Sequence, residues 1–303
     1  MSGAFLIVAR FALIPFLGWC AAKGGLIRGW ARQGIGFALV NICYPIMILA
    51  NIWPKNFEQL WAQSALTVAF SAGITGILFA AGNLYFRRHA YKNQALWNFM
   101  LGVGNISYIG LPFLHVFFGN DGVTLAIVYG SVADLFIWLI YYPMVLVGNK
   151  RPARAVFANP CLIALLLSLA LCVAGVPIPK GLSSIIDASV LLVSVVALFY
   201  IGVTLADAHI RAVFTQRLPW TFSAVKVVGI PVLCFLILLP FTGTATAAVL
   251  AVLVGSPTPL LSMVWTKEDP AAQKQAVDCF VASTLLFLTV IIPLCIVFRF
   301  PMD

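Results

Sequence analysis

Apolar runs separated by short polar gaps cover nearly the whole chain of 303 residues. Each run is about 20 residues long, which is the length of helix that crosses the hydrocarbon core of a bilayer. The pattern therefore predicts ten membrane-spanning helices, and the first is expected to be retained because no basic segment precedes it. The predicted spans cover residues 4–22, 34–53, 60–82, 95–118, 121–147, 157–175, 183–207, 218–240, 243–265 and 272–299.

Composition narrows the class of protein. Hydrophobic residues make up 62% of the chain and charged residues 9%, whereas soluble domains carry about 25% charged residues. The sequence lacks a nucleophile elbow, a zinc-protease motif and a Walker loop, so we expect no enzyme activity, no cofactor and no metal. The net charge of +9 lies mostly in short gaps between apolar runs, which indicates membrane topology and no nucleic-acid partner.

Positive charge alternates along the chain from one gap to the next. Every second gap is rich in lysine and arginine, and the gaps between them are nearly free of both. Basic gaps face the cytoplasm by the positive-inside rule, which predicts a multi-pass protein of the cell (inner) membrane with both termini outside the cytoplasm. The basic gaps hold Lys23, Arg28, Arg32, Arg87, Arg88, Lys92, Lys150, Arg151, Arg154, Arg211, Arg217, Lys267 and Lys274.

The chain divides into two halves of five spans each, residues 1–147 and 157–303, joined by a predicted cytoplasmic linker at 148–156. Because five is odd, repeated halves would be inserted with opposite orientations. The fourth span of each half has a glycine- and proline-broken centre, "GNISYIGLP" and "GSPTP", followed by an acidic turn. Interrupted spans at matching positions are a sequence indicator of a transporter binding site.

A broken helix frees backbone polar groups, which hydrocarbon tolerates only where they are buried in protein or line a wet cavity. We therefore expect the two interruptions to cross near the midplane around a polar cavity. Two alternative interpretations of these segments stay open. The glycines and prolines can serve close helix packing, and Asn105 and Ser107 can cap a helix end. The expected substrate-binding residues are Asn41, Gly104, Asn105, Ser107, Ser256 and Thr258, and the expected crossover residues are Gly110, Pro112, Gly255, Pro257 and Pro259.

Asp134 and Lys226 are ionisable residues that lie inside apolar spans. Asp134 is in the middle of the fifth span, where a carboxylate costs about 2.5–3.5 kcal/mol or more, so we expect it to couple transport to H⁺ or Na⁺. The alternative is a neutral carboxyl group that bonds to a neighbouring helix. Lys226, early in the eighth span, is expected to extend its ammonium group to the cytoplasmic interface, with a substrate role as the alternative.

Several motifs resemble those of the auxin efflux carrier family, which includes bacterial malate and malonate carriers and plant auxin exporters. The matching stretches occur in the family's order along the chain: "GNISYIGLPF" with "FGNDG", "NPCLIALLLSLAL", "LFYIGVTLAD", "VKVVGIPVL" and "VASTLLFLTVIIPL". The resemblance implies an all-α membrane protein of ten helices in two inverted five-helix repeats, with a scaffold domain and a transport domain. It also implies that the broken helices four and nine cross, and it makes a homodimer plausible by analogy.

The resemblance further implies export or exchange of organic anions, often carboxylates. One position departs from the family pattern. Plant carriers commonly have a glutamine four residues before a tryptophan in the fifth span, and this chain has Asp134 before Trp138. A carboxylate repels an anionic substrate unless the carboxylate is protonated. The substrate class or the coupling ion of this chain can therefore differ from the plant pattern.

The leading hypothesis from the sequence is a secondary carrier of small organic anions that works by alternating access, with the anion, the lipid bilayer and H⁺ or Na⁺ as partners. The alternative is a cation/proton exchanger that uses Asp134 and has no organic substrate. A non-transporting receptor ranks last, since it would need a long loop or a soluble output domain, and the gaps are short.

Overall fold

The computed structural model describes residues 2–53, 57–89, 91–147, 157–206 and 210–298. Helices make up 87% of the chain, and the described ranges contain no strand. The all-helical class predicted from the apolar runs is therefore confirmed. The predicted linker at 148–156 lies outside the described residues.

The helices follow one another with short connections and are interrupted at several places by π-helical turns. The α-helices are α1 Ser2–Lys23, α2 Gly29–Ala38, α3 Tyr44–Ile52, α4 Phe57–Arg88, α5 Gln94–Gly102, α6 Leu111–Phe136, α7 Pro160–Val173, α8 Lys180–Leu205, α9 Ile210–Thr215, α10 Arg217–Ala224, α11 Ile230–Val254, α12 Leu260–Trp265, α13 Pro270–Leu286 and α14 Ile292–Phe298. The π-helical turns are Leu39–Cys43, Ile106–Gly110, Ile137–Tyr141, Pro143–Val147, Val225–Gly229 and Phe287–Ile291.

Long apolar helical stretches indicate a membrane-embedded protein. Within the described residues, five stretches are long and apolar enough to cross a membrane, and three further apolar helices are shorter. The ten-helix count and the inverted repeat stay predictions. The five long stretches are Gly29–Ile52, Ala65–Arg88, Phe113–Val145, Arg217–Val254 and Pro270–Cys295, and the shorter ones are Leu13–Lys23, Pro160–Val173 and Leu192–Leu205.

Two of the long stretches contain a sharp backbone break. Phe113–Val145 and Arg217–Val254 have 33 and 38 residues, more than the roughly 20 that one membrane crossing needs. Gly119 has φ 61° and ψ −153°, and Gly243 has φ 74° and ψ 172°. Glycine adopts such angles at little cost because it has no Cβ. The break at Gly119 lies in the gap between two predicted spans, and the break at Gly243 falls on the first residue of the predicted span 243–265.

The chain forms two compact units that are each discontinuous in sequence. The first unit consists of residues 1–66 and 134–207, and the second of residues 67–133 and 208–303. Each unit takes segments from both predicted halves of the chain. Spatial units and sequence repeats are therefore different divisions here, and the division into halves stays a prediction.

Glycines bring two helices of the first unit close together. Helix α1 packs along α8, and α3 packs on α7 and α8. A Cβ added at Gly18 would overlap the carbonyl group of Phe199, and one added at Gly202 would overlap the backbone of Pro15. Small residues allow this approach between membrane helices, where close packing drives association.

The core of the second unit is aromatic. Trp97 packs edge-on against Phe222 with ring centroids 5.1 Å apart, and Phe99 stacks on Trp265 at 4.7 Å. All four rings are buried. These contacts hold α5, α10 and α12 together next to the two segments where helices are interrupted.

Candidate functional site

The first helix interruption follows α5, which ends at Gly102. Val103 is extended, with φ −123° and ψ 142°, and Asn105 has φ −82° and ψ 66°. Helical structure resumes at Ile106 with a π-helical turn that leads into α6. The interruption therefore covers Val103 to Asn105, inside the sequence that predicted it, and all three residues are buried.

The second interruption lies between α11 and α12. Helix α11 ends at Val254, and Pro259 is extended, with φ −68° and ψ 139°, directly before α12. Pro257 and Pro259 have no backbone N–H and cannot continue a helical hydrogen-bond pattern. The Ser256 hydroxyl donates to the Leu253 carbonyl at 2.7 Å and so satisfies a backbone group at the end of α11.

The two interruptions lie against each other within the second unit. The backbone N–H of Asn105 donates to the carbonyl of Pro257 at 2.7 Å. A Cβ added at Gly104 would overlap the Ser256 hydroxyl, and one added at Gly255 would overlap the Pro231 ring. Glycine is therefore needed at residue 104 for the two interruptions to approach this closely, and at residue 255 to leave room for the Pro231 ring. We call the joined segments, residues 103–105 and 255–259, the crossover.

The side-chain amide of Asn105 is a buried polar group at the crossover. The side-chain nitrogen of Asn105 makes no hydrogen bond within the described part of the chain, although the residue is 3% exposed. Leaving a buried donor unsatisfied costs about 1–3 kcal/mol, so such groups usually meet a water or a ligand. Ser107, two residues further on, is only half-buried. Asn105 thus presents a donor to whatever enters the crossover.

The hydroxyl groups on the second interruption already have protein partners. Ser256 uses its single donor on Leu253, as described above. Thr258 donates its backbone N–H to the Ser283 hydroxyl at 3.1 Å, and Ser283 donates to the Phe280 carbonyl at 3.2 Å. The sequence reasoning did not single out Ser283. A hydroxyl in the middle of the apolar stretch "VASTLLFL" was the available signal.

The remaining residues that the sequence predicted for the crossover are Gly110, Pro112, Pro257 and Pro259. The Cβ position of Gly110 lies 3.5 Å from the Leu253 side chain, which is an ordinary van der Waals contact. Pro112 is the second residue of α6, and its side chain lies outside the described part of the structure. Pro257 and Pro259 are both buried. These residues shape the interruptions and offer no side-chain hydrogen bond.

The expectation that Lys226 reaches the membrane interface is wrong. Its side chain is 1% exposed, and its ammonium group donates to the carbonyls of Leu101 at 3.1 Å and Val254 at 3.4 Å. The ammonium group therefore bonds to the carbonyls at the ends of α5 and α11, beside the crossover, and does not extend to the cytoplasmic interface.

Asp134 belongs to the first unit, where it pairs with a tyrosine. It is 9% exposed and accepts a hydrogen bond from the Tyr44 hydroxyl at 3.0 Å. Trp138 packs edge-on against the Tyr44 ring, with centroids 5.6 Å apart. Sequence reasoning missed Tyr44, although it lies three residues after Asn41 in the same span. The carboxyl group thus has a fixed orientation inside the apolar helix.

Asn41 also lies in the first unit, in the π-helical turn Leu39–Cys43. Its side-chain nitrogen donates to the Phe37 carbonyl at 3.0 Å, within its own helix. The other predicted binding residues, from Gly104 to Thr258, belong to the second unit. The structure thus brings the two interruptions together in one unit and places Asn41 and Asp134 in the other.

Comparison with known proteins identifies a family. The family model described as membrane transport protein matches residues 4–155, about half of the chain, including the first interruption and Asp134. A comparison with curated proteins found no match. The matched family is one of transporters and not of enzymes. Together with the apolar helices, this match shows that the chain belongs to the membrane transport protein family of auxin efflux carriers.

Proposed function

We propose that the protein is a secondary carrier of small organic anions, which exports or exchanges carboxylates by alternating access at the crossover. The observation that carries this proposal is the side-chain nitrogen of Asn105, which is buried beside the joined backbones and has no hydrogen-bond partner among the residues that the structure describes. An amide N–H donates well to a carboxylate oxygen, and hydrogen bonds to a charged partner are the stronger ones.

Electrostatics at the crossover also favours an anion. The helix that resumes at Ile106 starts with backbone N–H groups that lack partners inside the helix, and its dipole gives this end a partial positive charge. The buried ammonium group of Lys226 lies at the preceding helix end, bonded to Leu101. Both features lower the free energy of a negatively charged ligand at the crossover.

Ion gradients supply the free energy in this proposal. The gaps between predicted spans are too short for a nucleotide-hydrolysing domain, and the longest runs from 83 to 94. Asp134 is the candidate coupling residue, since intramembrane carboxylates commonly lie on ion or proton pathways. The carrier is proposed to lie in the cell membrane with both termini outside the cytoplasm.

The decisive experiment measures flux in proteoliposomes across a panel of dicarboxylates, monocarboxylates and indole acids. We expect gradient-dependent flux of at least one carboxylate. In Asn105→Ala, apparent affinity should fall roughly 10- to 100-fold, because a hydrogen bond to a charged group contributes about 1.5–3 kcal/mol. The melting temperature of this variant should stay unchanged, because the side-chain nitrogen of Asn105 bonds to no group in the described part of the protein.

Asn98→Ala is the matched control, a buried asparagine outside the crossover. Its side-chain nitrogen donates to the Phe79 carbonyl at 3.1 Å. This variant should therefore show the opposite result, a lower melting temperature with substrate affinity retained. Absence of flux for the whole panel, or equal loss of affinity in both variants, would contradict the proposal.

A cation/proton exchanger is the second candidate. The observation that favours it is the buried carboxyl group of Asp134, which receives its hydrogen bond from an uncharged hydroxyl group. Such a group can bind and release an ion without any organic substrate. The two candidates differ in what they predict for Asp134→Asn, as argued in the Discussion.

A further inference from the structure

The partners of Lys226 are the carbonyl groups that the two interruptions leave without their helical donors. In a continuous α-helix, each N–H donates to the carbonyl four residues earlier. The N–H of Asn105 would bond to Leu101, but it donates to Pro257 instead. The N–H of Thr258 would bond to Val254, but it donates to the Ser283 hydroxyl instead. Each interruption thus frees a carbonyl group four residues before the N–H that it redirects.

The Lys226 ammonium group donates to both of these carbonyls, at 3.1 Å to Leu101 and 3.4 Å to Val254. Leu101 lies in the last turn of α5, and Val254 is the last residue of α11. Helix C-terminal ends carry partial negative charge and suit a cation. Within the described ranges, no carboxylate lies at ion-pairing distance from Lys226.

Broken helices of transporters use such freed carbonyls and helix C-terminal ends to coordinate Na⁺ or H⁺. Here a covalently attached ammonium group takes that position. We infer that Lys226 is a built-in cation that replaces a coupling Na⁺ at the crossover, so that an anionic substrate binds there without Na⁺. This inference deepens the proposed function, and only its flux measurement rests on that function.

The test compares Lys226→Met with the wild type in NaCl and in choline chloride at equal ionic strength. Methionine keeps most of the aliphatic stem and leaves the position of the ammonium group free for a small cation. We expect the melting temperature of the wild type to be the same in both salts. That of K226M should fall by about 5 °C in choline chloride and should recover with increasing Na⁺ concentration.

Two further variants separate charge from packing. Lys92 is exposed, so Lys92→Met makes the same change in net charge without touching the crossover. Its melting temperature should be equal in both salts. Lys226→Arg retains the positive charge, and its melting temperature should also be independent of Na⁺.

Three results would overturn the inference. One is a K226M protein whose melting temperature responds to Na⁺, Li⁺ and K⁺ no more than that of the wild type. Another is a K226R protein that depends on Na⁺ as K226M does. If K226M aggregates in both salts, the K226R protein decides between the outcomes. A folded K226R protein whose melting temperature does not depend on Na⁺ supports the inference, and an aggregated K226R protein contradicts it.

Flux measurements extend the test to transport. With a carboxylate that the wild type carries, exchange is measured in a D134N background, so that no ion bound at Asp134 contributes. Exchange should persist without Na⁺ in D134N and should require Na⁺ when K226M is added. Equal dependence on Na⁺ in the two proteins would contradict the inference. If the wild type carries no substrate of the panel, the proposed function fails, and the melting temperatures still decide the role of Lys226.

Discussion

Asn105, Asp134 and Lys226 are polar side chains buried in apolar helices, and they differ in how their hydrogen-bonding groups are satisfied. Asp134 accepts from a tyrosine hydroxyl, and Lys226 donates to two carbonyls. The side-chain nitrogen of Asn105 has no partner in the described part of the chain. Asp134 and Lys226 therefore have protein partners before any ligand binds. In the proposed function, Asn105 is the residue whose donor binds the substrate.

For Asp134→Asn, we expect substrate exchange to persist and gradient-driven net transport to be lost. The amide has the shape of the carboxyl group and can still meet the Tyr44 hydroxyl, but it neither binds nor releases an ion. Counterflow of labelled carboxylate measures exchange, and uptake under an imposed H⁺ or Na⁺ gradient measures coupling.

Tyr44→Phe is the control for this prediction, because it removes the hydrogen bond to Asp134 and keeps the ionisable group. It should retain coupling. Loss of exchange as well as coupling in D134N, with Y44F active, would favour the cation exchanger over the anion carrier.

At the level of helices, the crossover depends on two interruptions whose backbone N–H groups donate to acceptors outside their own helix. Residues 105 and 258 each lie four positions after a freed carbonyl, at 101 and 254. Each donates its N–H across to another segment. An unsatisfied backbone group in hydrocarbon costs several kcal/mol, so these substitute bonds explain why both helices can break inside apolar spans.

Gly104→Ala should destabilise the crossover. The new Cβ would overlap the Ser256 hydroxyl and lie 3.0 Å from the Leu253 carbonyl, forcing the interruptions apart. Overpacking of this kind costs about 1–3 kcal/mol, which a lower melting temperature and reduced flux would reveal. Ser256→Ala in the same protein should restore part of the loss, since it removes the overlapping oxygen.

Gly110→Ala serves as the matched control, because its Cβ position is 3.5 Å from the nearest side-chain atom. We expect its melting temperature and flux to match the wild type. Equal effects of both alanine substitutions would contradict a tight approach specific to Gly104.

For the molecule as a whole, the alternation of charge predicts which gaps face the cytoplasm. Lys92 lies in a basic gap and Asn120 in a gap without basic residues, and both are exposed in the structure. In a background where the exposed Cys20 is replaced by serine, a membrane-impermeant maleimide should label Asn120→Cys in intact cells. Lys92→Cys should be labelled only after permeabilisation. The reverse labelling would invert the topology.

The apolar runs and the glycine and proline clusters were sufficient to predict helices, a membrane environment and the positions of the interruptions. These features are local: span length follows from bilayer thickness, and glycine and proline act on the backbone where they stand. Gly119 breaks its helix within a predicted gap, and Gly243 breaks its helix at the first residue of a predicted span.

The partners of the buried polar groups depended on tertiary structure. Lys226 reaches a carbonyl 125 residues away, Tyr44 reaches Asp134 across 90 residues, and Thr258 reaches Ser283 across 25. No local pattern encodes such pairs, because a long side chain in an apolar span has several acceptors within reach and only the packed helices select among them. The sequence thus located where each helix breaks, and the packed chain determined which groups satisfy the broken ends.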